Sequence, residues 1–215
     1  LFSAYLLLFA TCSTSRPAAG SGAPAETVTA PAAPGAEAPV AEAPEAATRG
    51  GSTSDKVALL IAIGEYDPAT GWNDLSSNND IPLIRYALVQ QGFKEEDIVV
   101  LRDREASREG ILKAVRTQLI DRAQPGGIAI LHYSGHGQQV IDQNDDEIDL
   151  LDEALVPYDS PLEFKKGEYE GEKLVRDEEI GALMNELRRK LGKRGNLLVI
   201  LDSCHSGTGT RGEAT

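Results

Sequence analysis

Four short apolar runs limit what this chain can become: Val57–Ile63, Ile98–Leu101, Ile128–Tyr133 and Leu197–Leu201. They are rich in Val, Ile and Leu and lack polar alternation, the pattern of strands buried on both faces. Amphipathic stretches lie between them. Asn79 to Gln91 is expected to be a helix, with Pro82 tolerated in its first turn and Gly92 at its stop. A second helix is expected from Ser107 to about Ala123, with Ile111, Leu112, Val115 and Leu119 on one face. A third is expected from Asp177 to about Leu191, with Ile180, Leu183, Met184, Leu187 and Leu191 at core spacing. Strands alternating with helices predict an α/β fold, a mostly parallel sheet with helices on both faces. Right-handed crossovers then bring every strand's carboxyl end to one edge, where open α/β sheets carry their ligand chemistry.

The remainder of the 215 residues is of a different kind. Residues 1–15 begin with an almost wholly apolar stretch, Leu1 to Ala10, too short to span a bilayer and similar to the core of a secretory signal. It leads into Phe9-Ala10-Thr11-Cys12, which resembles a bacterial lipoprotein cleavage box except at Thr11. Two readings stay open, lipidation of Cys12 or an ordinary signal or anchor with an incidental cysteine. Either predicts an exported bacterial protein: periplasmic, extracellular or membrane-attached through this segment. Residues 16–54 are mostly Ala, Pro, Gly, Glu, Ser and Thr and cannot bury enough surface to offset their ordering entropy, so a disordered linker is expected there. The folded domain is expected over 55–215. The chain starts at Leu1 without a methionine, and no closing strand or helix is visible after Gly207. It is therefore expected to lack its true N-terminus and to be incomplete at its C-terminus. A formal net charge of -13 argues against a nucleic-acid surface. Two cysteines in unrelated contexts are too few for a disulfide framework.

The third and fourth apolar runs end in small-residue turns that carry chemistry. Tyr133-Ser134-Gly135-His136-Gly137 delivers a histidine, and Asp202-Ser203-Cys204-His205-Ser206-Gly207 delivers the only cysteine beyond Cys12. A thiol near pKa ~8.5 is mostly protonated at neutral pH, and an adjacent imidazole can take its proton. If the two strands are neighbours, His136 and Cys204 converge as base and nucleophile. The amides of Gly137 and Cys204 could then hold a developing oxyanion. Singly, His136 reads as a structural turn histidine and Cys204 as an inert buried thiol. Jointly, at two strand ends, they favour catalysis. His205 is adjacent to Cys204 and would point elsewhere, and His132, inside the strand, reads as a packed and satisfied residue.

These two boxes resemble the His and Cys boxes of metacaspases, in the caspase-like cysteine peptidase clan (peptidase family C14). The resemblance covers about Lys56 to Gly207. Classical caspases carry Gln-Ala-Cys at the nucleophile and this chain does not, so the similarity is to metacaspases or prokaryotic orthocaspase-like members. It implies a caspase-like three-layer sandwich and an endopeptidase working through a thioester acyl-enzyme. It also implies cleavage after Arg or Lys, in a pocket matched here by Asp80, Ser134 and Asp202. Two carboxylates at that edge would pair with a guanidinium; the alternatives are a helix N-terminal carboxylate for Asp80 and a hydrogen-bonded structural acid for Asp202.

No cofactor is required for such chemistry. Many metacaspases are calcium-activated, and the acidic stretch Gln143–Glu153 suits a hard cation, although a solvated acidic loop is the plainer reading. The resemblance assigns Asp152, Asp177 and Glu178 to such a site, but Arg211 stands where the family has a further aspartate. Self-cleavage would be expected after Arg49, in the linker, or at Lys165-Lys166 in a polar insertion. The rival reading is a non-catalytic caspase-like module acting in protein interaction or cation sensing. Oligomeric state is not legible.

Overall fold

The computed structural model describes residues 7–9, 54–141 and 151–203, all within one compact unit. Eight strands are seen among them: β1 (Leu7–Phe9), β2 (Ser54–Ala62), β3 (Ile98–Arg102), β4 (Ala123–Ser134), β5 (Gly137–Ile141), β6 (Leu151–Leu155), β7 (Val175–Arg176) and β8 (Asn196–Asp202). The main helices are α1 (Ile81–Gln90), α2 (Arg108–Ala114) and α3 (Asp177–Leu191). The four apolar runs all become strands of one sheet. Its order is β1-β8-β4-β2-β3, and every pairing is parallel. Residues 16–53, expected as linker, lie outside the described residues. The apolar N-terminal segment contributes β1, whose Leu7 pairs with Val199 and Phe9 with Leu201. Among the described residues no helix is long and apolar enough to cross a membrane.

Strand alternation sorts the apolar residues into two layers. Ala58, Leu60 and Ala62 of β2 and Ile130 of β4 pack with Ile81 and Leu88 of α1 on one face. Val57, Leu59, Ile61, Leu131, Tyr133 and Val199 pack with residues of α2 and α3, including Ile111, Ile180, Met184 and Leu187, on the other. Helices thus cover both faces, the three-layer arrangement read from the sequence.

Three boundaries differ from expectation. The second helix continues from α2 as a π-helical segment, Val115–Ile120, and ends there rather than near Ala123. Arg122 leaves the helix to form a buried ion pair with Asp97, which also accepts from Ser54 Oγ at 2.7 Å. Lys190 Nζ caps the freed carbonyls of Ile120 and Asp121 at 2.5 and 2.9 Å. β4 therefore starts at Ala123, five residues before the apolar run at Ile128, with Gly126 at a φ of 83° absorbing the irregularity. Finally, β5, β6 and β7 form a second, antiparallel sheet in that order, which the sequence did not announce.

Candidate active site at the carboxyl edge of the sheet

β4 and β8 are neighbours, and Ser134 pairs with Asp202, so the two strands end level. His136 follows Ser134 by two residues, and Cys204 follows Asp202 by two. Cys204 lies outside the described residues, as do Cys12, Arg49, His205, Arg211 and residues 143–150 of the acidic stretch.

His136 sits in the turn between β4 and β5, half-buried in an aromatic bed. Its ring stacks on Trp72, with centroids 4.6 Å apart, and lies 5.0 Å from the ring of Tyr66. Its backbone is held from both sides. The amide donates to Tyr66 Oη at 2.8 Å, and the carbonyl accepts from Tyr133 Oη at 2.8 Å and from the Val156 amide at 3.1 Å. Gly135 is required here, because a Cβ would stand 2.7 Å from Tyr133 Oη and 3.0 Å from Tyr66 Oη. His136 Nε2 lies 2.8 Å from the carbonyl oxygen of Asn73. A carbonyl can only accept, so Nε2 carries the proton and Nδ1 of the neutral ring is left as the basic nitrogen. Burial holds the imidazole below its ordinary pKa, and the Asn73 carbonyl opposes the shift only in part. A neutral base in a fixed tautomer is the result.

The loop that supplies this bed, residues 64–80, is tied down by Asp103. Asp103 Oδ1 accepts from the amides of Gly64 and Glu65, both at 2.8 Å, and both its carboxylate oxygens accept from Asn78 Nδ2 at 3.0 Å. Asp103 itself is at a φ of 42°, a left-handed conformation that Asp tolerates better than most residues. Trp72 Nε1 donates to the Ser160 carbonyl at 2.9 Å, which fixes the stacking ring.

The three expected pocket residues occupy the α1 side of the same edge. Ser134 is buried and its Oγ donates to Asp202 Oδ2 at 3.1 Å. Asp80 precedes α1 in the N-cap position, where the helix dipole favours a carboxylate, and makes no side-chain capping bond. Burial holds the His132 imidazole below its ordinary pKa, while Asp202 and Asp80 favour its charged form. His132 corrects the sequence reading. It is packed, at 6 % exposure, but its buried Nδ1 has no hydrogen-bond partner among the described residues.

Gly137 opens β5 directly after His136 and pairs with Leu155. Asp177 and Glu178 open α3, and Asp152 lies in β6. Among the described residues no three His, Cys, Asp or Glu side chains converge as metal ligands. Asp177 and Glu178 are thus adjacent carboxylates at a helix start. Lys165 and Tyr169 exchange backbone hydrogen bonds at 2.8 Å around Gly167, so the Lys165-Lys166 site is a tight exposed turn.

Comparison with known proteins gives the family. The profile of the family "Metacaspase, peptidase C14 domain" matches residues 56–211. The chain belongs to the metacaspase family. It is 35% identical over 159 residues to metacaspase-1 of Schizosaccharomyces pombe, covering 70% of this chain and 33% of that protein. It is 36% identical over 137 residues to metacaspase-3 of Arabidopsis thaliana, covering 60% and 34%. A solved crystal structure of a Geobacter sulfurreducens protein aligns with a TM-score of 0.54 at 27% identity, covering 71% of this chain and 52% of that one. The chain thus spans about a third of the length of these curated metacaspases. The fold is the caspase-like sandwich expected of the family. Tyr66, Trp72, Asn73, Asp103 and Tyr133, which position the histidine of this metacaspase domain, were not singled out by sequence. The one available signal was the single Trp of the chain, set in a Gly-, Asp- and Asn-rich loop after the first strand.

Proposed function

We propose that this metacaspase domain is a cysteine endopeptidase cleaving after Arg or Lys, with Cys204 as nucleophile and His136 as general base. The observation that carries the reading is the His136 Nε2 bond to the Asn73 carbonyl, which dedicates Nδ1 to proton transfer. In the first step Nδ1 takes the thiol proton as the Cys204 sulfur bonds to the scissile carbonyl carbon. The oxyanion is held by the amides of Gly137 and Cys204. Collapse breaks the C–N bond, and the imidazolium gives its proton to the leaving amine. Water, deprotonated by the same nitrogen, then cleaves the thioester.

Basic specificity rests on Asp80 and Asp202, with Ser134 orienting the latter through its 3.1 Å bond. A guanidinium, with its planar set of donors, would serve two carboxylates better than an ammonium would. The chemistry needs no cofactor. Calcium enters as an activator held by Asp152, Asp177 and Glu178, supported by the acidic composition around them. Export, with attachment through the N-terminal segment or a lipidated Cys12, is supported by the sequence of residues 1–12.

The test is hydrolysis of matched fluorogenic peptides ending in Arg, Lys or Asp, with and without calcium, beside Cys204→Ala. Arg or Lys cleavage lost in Cys204→Ala is expected. Asp cleavage would keep the nucleophile and overturn the pocket. A folded protein inert to every peptide would leave the interaction-module reading standing.

A further inference from the structure

His132 is buried, yet it stands in acidic surroundings with an orphaned nitrogen. Alternation along β4 puts it on the same face as Ser134, the α1 side. Its cross-strand neighbours are Leu60 of β2 and Ile200 of β8, neither of them polar. Ala58 and Ala62 of β2 and Ile81 of α1 complete an apolar wall. The charges acting on it among the described residues are two: Asp202 at the end of β8 and Asp80 at the start of α1. Burying an imidazole without a partner for Nδ1 costs stability, and no packing need is evident for a histidine rather than a leucine at this position.

We propose that His132 is a specificity-determining residue that sets the net charge of the acidic pocket: neutral, it leaves both carboxylates to a cationic substrate side chain, and protonated, it becomes an internal counter-ion competing for them. The proposal rests on the basic-side-chain reading of the pocket given above. Burial favours the neutral ring and outweighs Asp202 and Asp80, which favour the charged one, so the imidazole is held below its ordinary pKa and takes a proton only as pH falls. A cationic side chain in the pocket adds positive charge beside the imidazole and satisfies the carboxylates. It must therefore drive the proton off His132. By linkage, the proton must weaken the cation by the same factor.

The chain contains three histidines, so the ring protons can be assigned by single substitutions and followed by NMR. The probe is Nα-acetylarginine amide, with the isosteric but uncharged citrulline derivative as control. One unit charge at an effective protein dielectric of about 20 should be worth on the order of tenfold in affinity. The expected result has two parts. Wild-type affinity for the arginine probe falls about tenfold as pH drops through the His132 midpoint, and saturating probe lowers that midpoint by about one pH unit. In His132→Gln the affinity is nearly flat over the same range. His136 titrates in both proteins, so the difference between them isolates His132. An unchanged His132 midpoint under saturating probe, or identical pH profiles in wild type and His132→Gln, overturns the proposal while leaving the pocket intact. Absence of arginine-probe binding at any pH, in wild type and variant alike, overturns the pocket reading and this proposal with it. The midpoint shift is read in the wild-type protein, so it decides the matter even if the variant folds poorly.

Discussion

Asp103 and Asn78 should behave as one device, and a reciprocal exchange tests it. Asp103 holds the start of the 64–80 loop through two backbone amides and its end through Asn78 Nδ2. That loop carries Tyr66, Trp72 and Asn73 to His136 and delivers Asp80 to the pocket. Asp103→Asn keeps a carbonyl oxygen for the Gly64 and Glu65 amides and suits the left-handed backbone. What it loses is one of the two acceptors for Asn78 Nδ2: an NH2 group replaces Oδ2 and stands opposed to the Asn78 amide. A hydrogen bond to a charged group is worth about 1.5–3 kcal/mol, and the lower end applies to this half-exposed carboxylate. A loss of about 1.5 kcal/mol corresponds to a Tm lower by roughly 3–6 °C for a domain of this size. Asn78→Asp alone brings two carboxylates together and should destabilise similarly. In the double variant the donor and acceptor are exchanged and the bond is restored. A double-mutant cycle by thermal or urea unfolding should then show a favourable coupling of about 1–2 kcal/mol. Peptidase activity should fall in each single variant and recover in the double, because the loop positions the base. A double variant no more stable than the sum of the two singles would refute this account of Asp103.

Two further substitutions probe the histidine bed directly. Trp72→Ala removes the ring stacked on His136 and admits water, so the depressed His136 pKa should rise toward the ordinary 6.5. A neutral buried histidine contributes stability above its unfolded pKa and loses it as pH falls, so the acid limb of activity should move to higher pH in the variant. A midpoint that falls instead, by NMR titration, would mean that the indole face stabilises the imidazolium more than it excludes water. Gly135→Ala places a methyl group 2.7 Å from Tyr133 Oη and should cost about 1–3 kcal/mol through displaced tyrosines. A wild-type melting curve with unaltered activity would contradict the tight approach described at Gly135.

The layers of the fold were legible because each is written as a long-range pattern. The runs at Val57, Ile98, Ile128 and Leu197 are apolar on both faces, and the helix spacing of Ile180, Met184, Leu187 and Leu191 repeats over about three turns. The adjacency of β4 and β8 was inferred only conditionally, from the chemistry at their ends, and the sheet order bears it out. The second sheet was not legible. Gly137–Ile141 contains Gln138 and Gln139, and Leu151–Leu155 sits at the end of an acidic stretch, so neither carries a strand signature. The 64–80 loop hid the histidine bed for a similar reason. Its order comes from Asp103, more than twenty positions later, and from Val156 and Ser160 further on, and no local pattern encodes such contacts. His132 was misread because an apolar run implies packing and gives no account of where an imidazole nitrogen finds its partner.

β4 divides two tasks between its faces, and that division explains why its register matters more than that of any other strand described. Tyr133 turns to the α3 side, where its hydroxyl holds the His136 carbonyl. His132 and Ser134 turn to the α1 side, with Asp80 and Asp202. The proposed base and the proposed pocket are therefore served from opposite faces of one strand. A slip of one residue would exchange the two sets and destroy both sites at once. The strand is pinned against such a slip on both flanks. Ile63 donates its amide to Ser134 O at 2.9 Å, and the Gly135 amide donates to Asp202 O at 3.2 Å. These bonds lie at the last paired positions, immediately before the chain turns into His136. The parallel ladder thus ends where positional precision is needed, and the sheet and the 64–80 loop act together in placing the two groups.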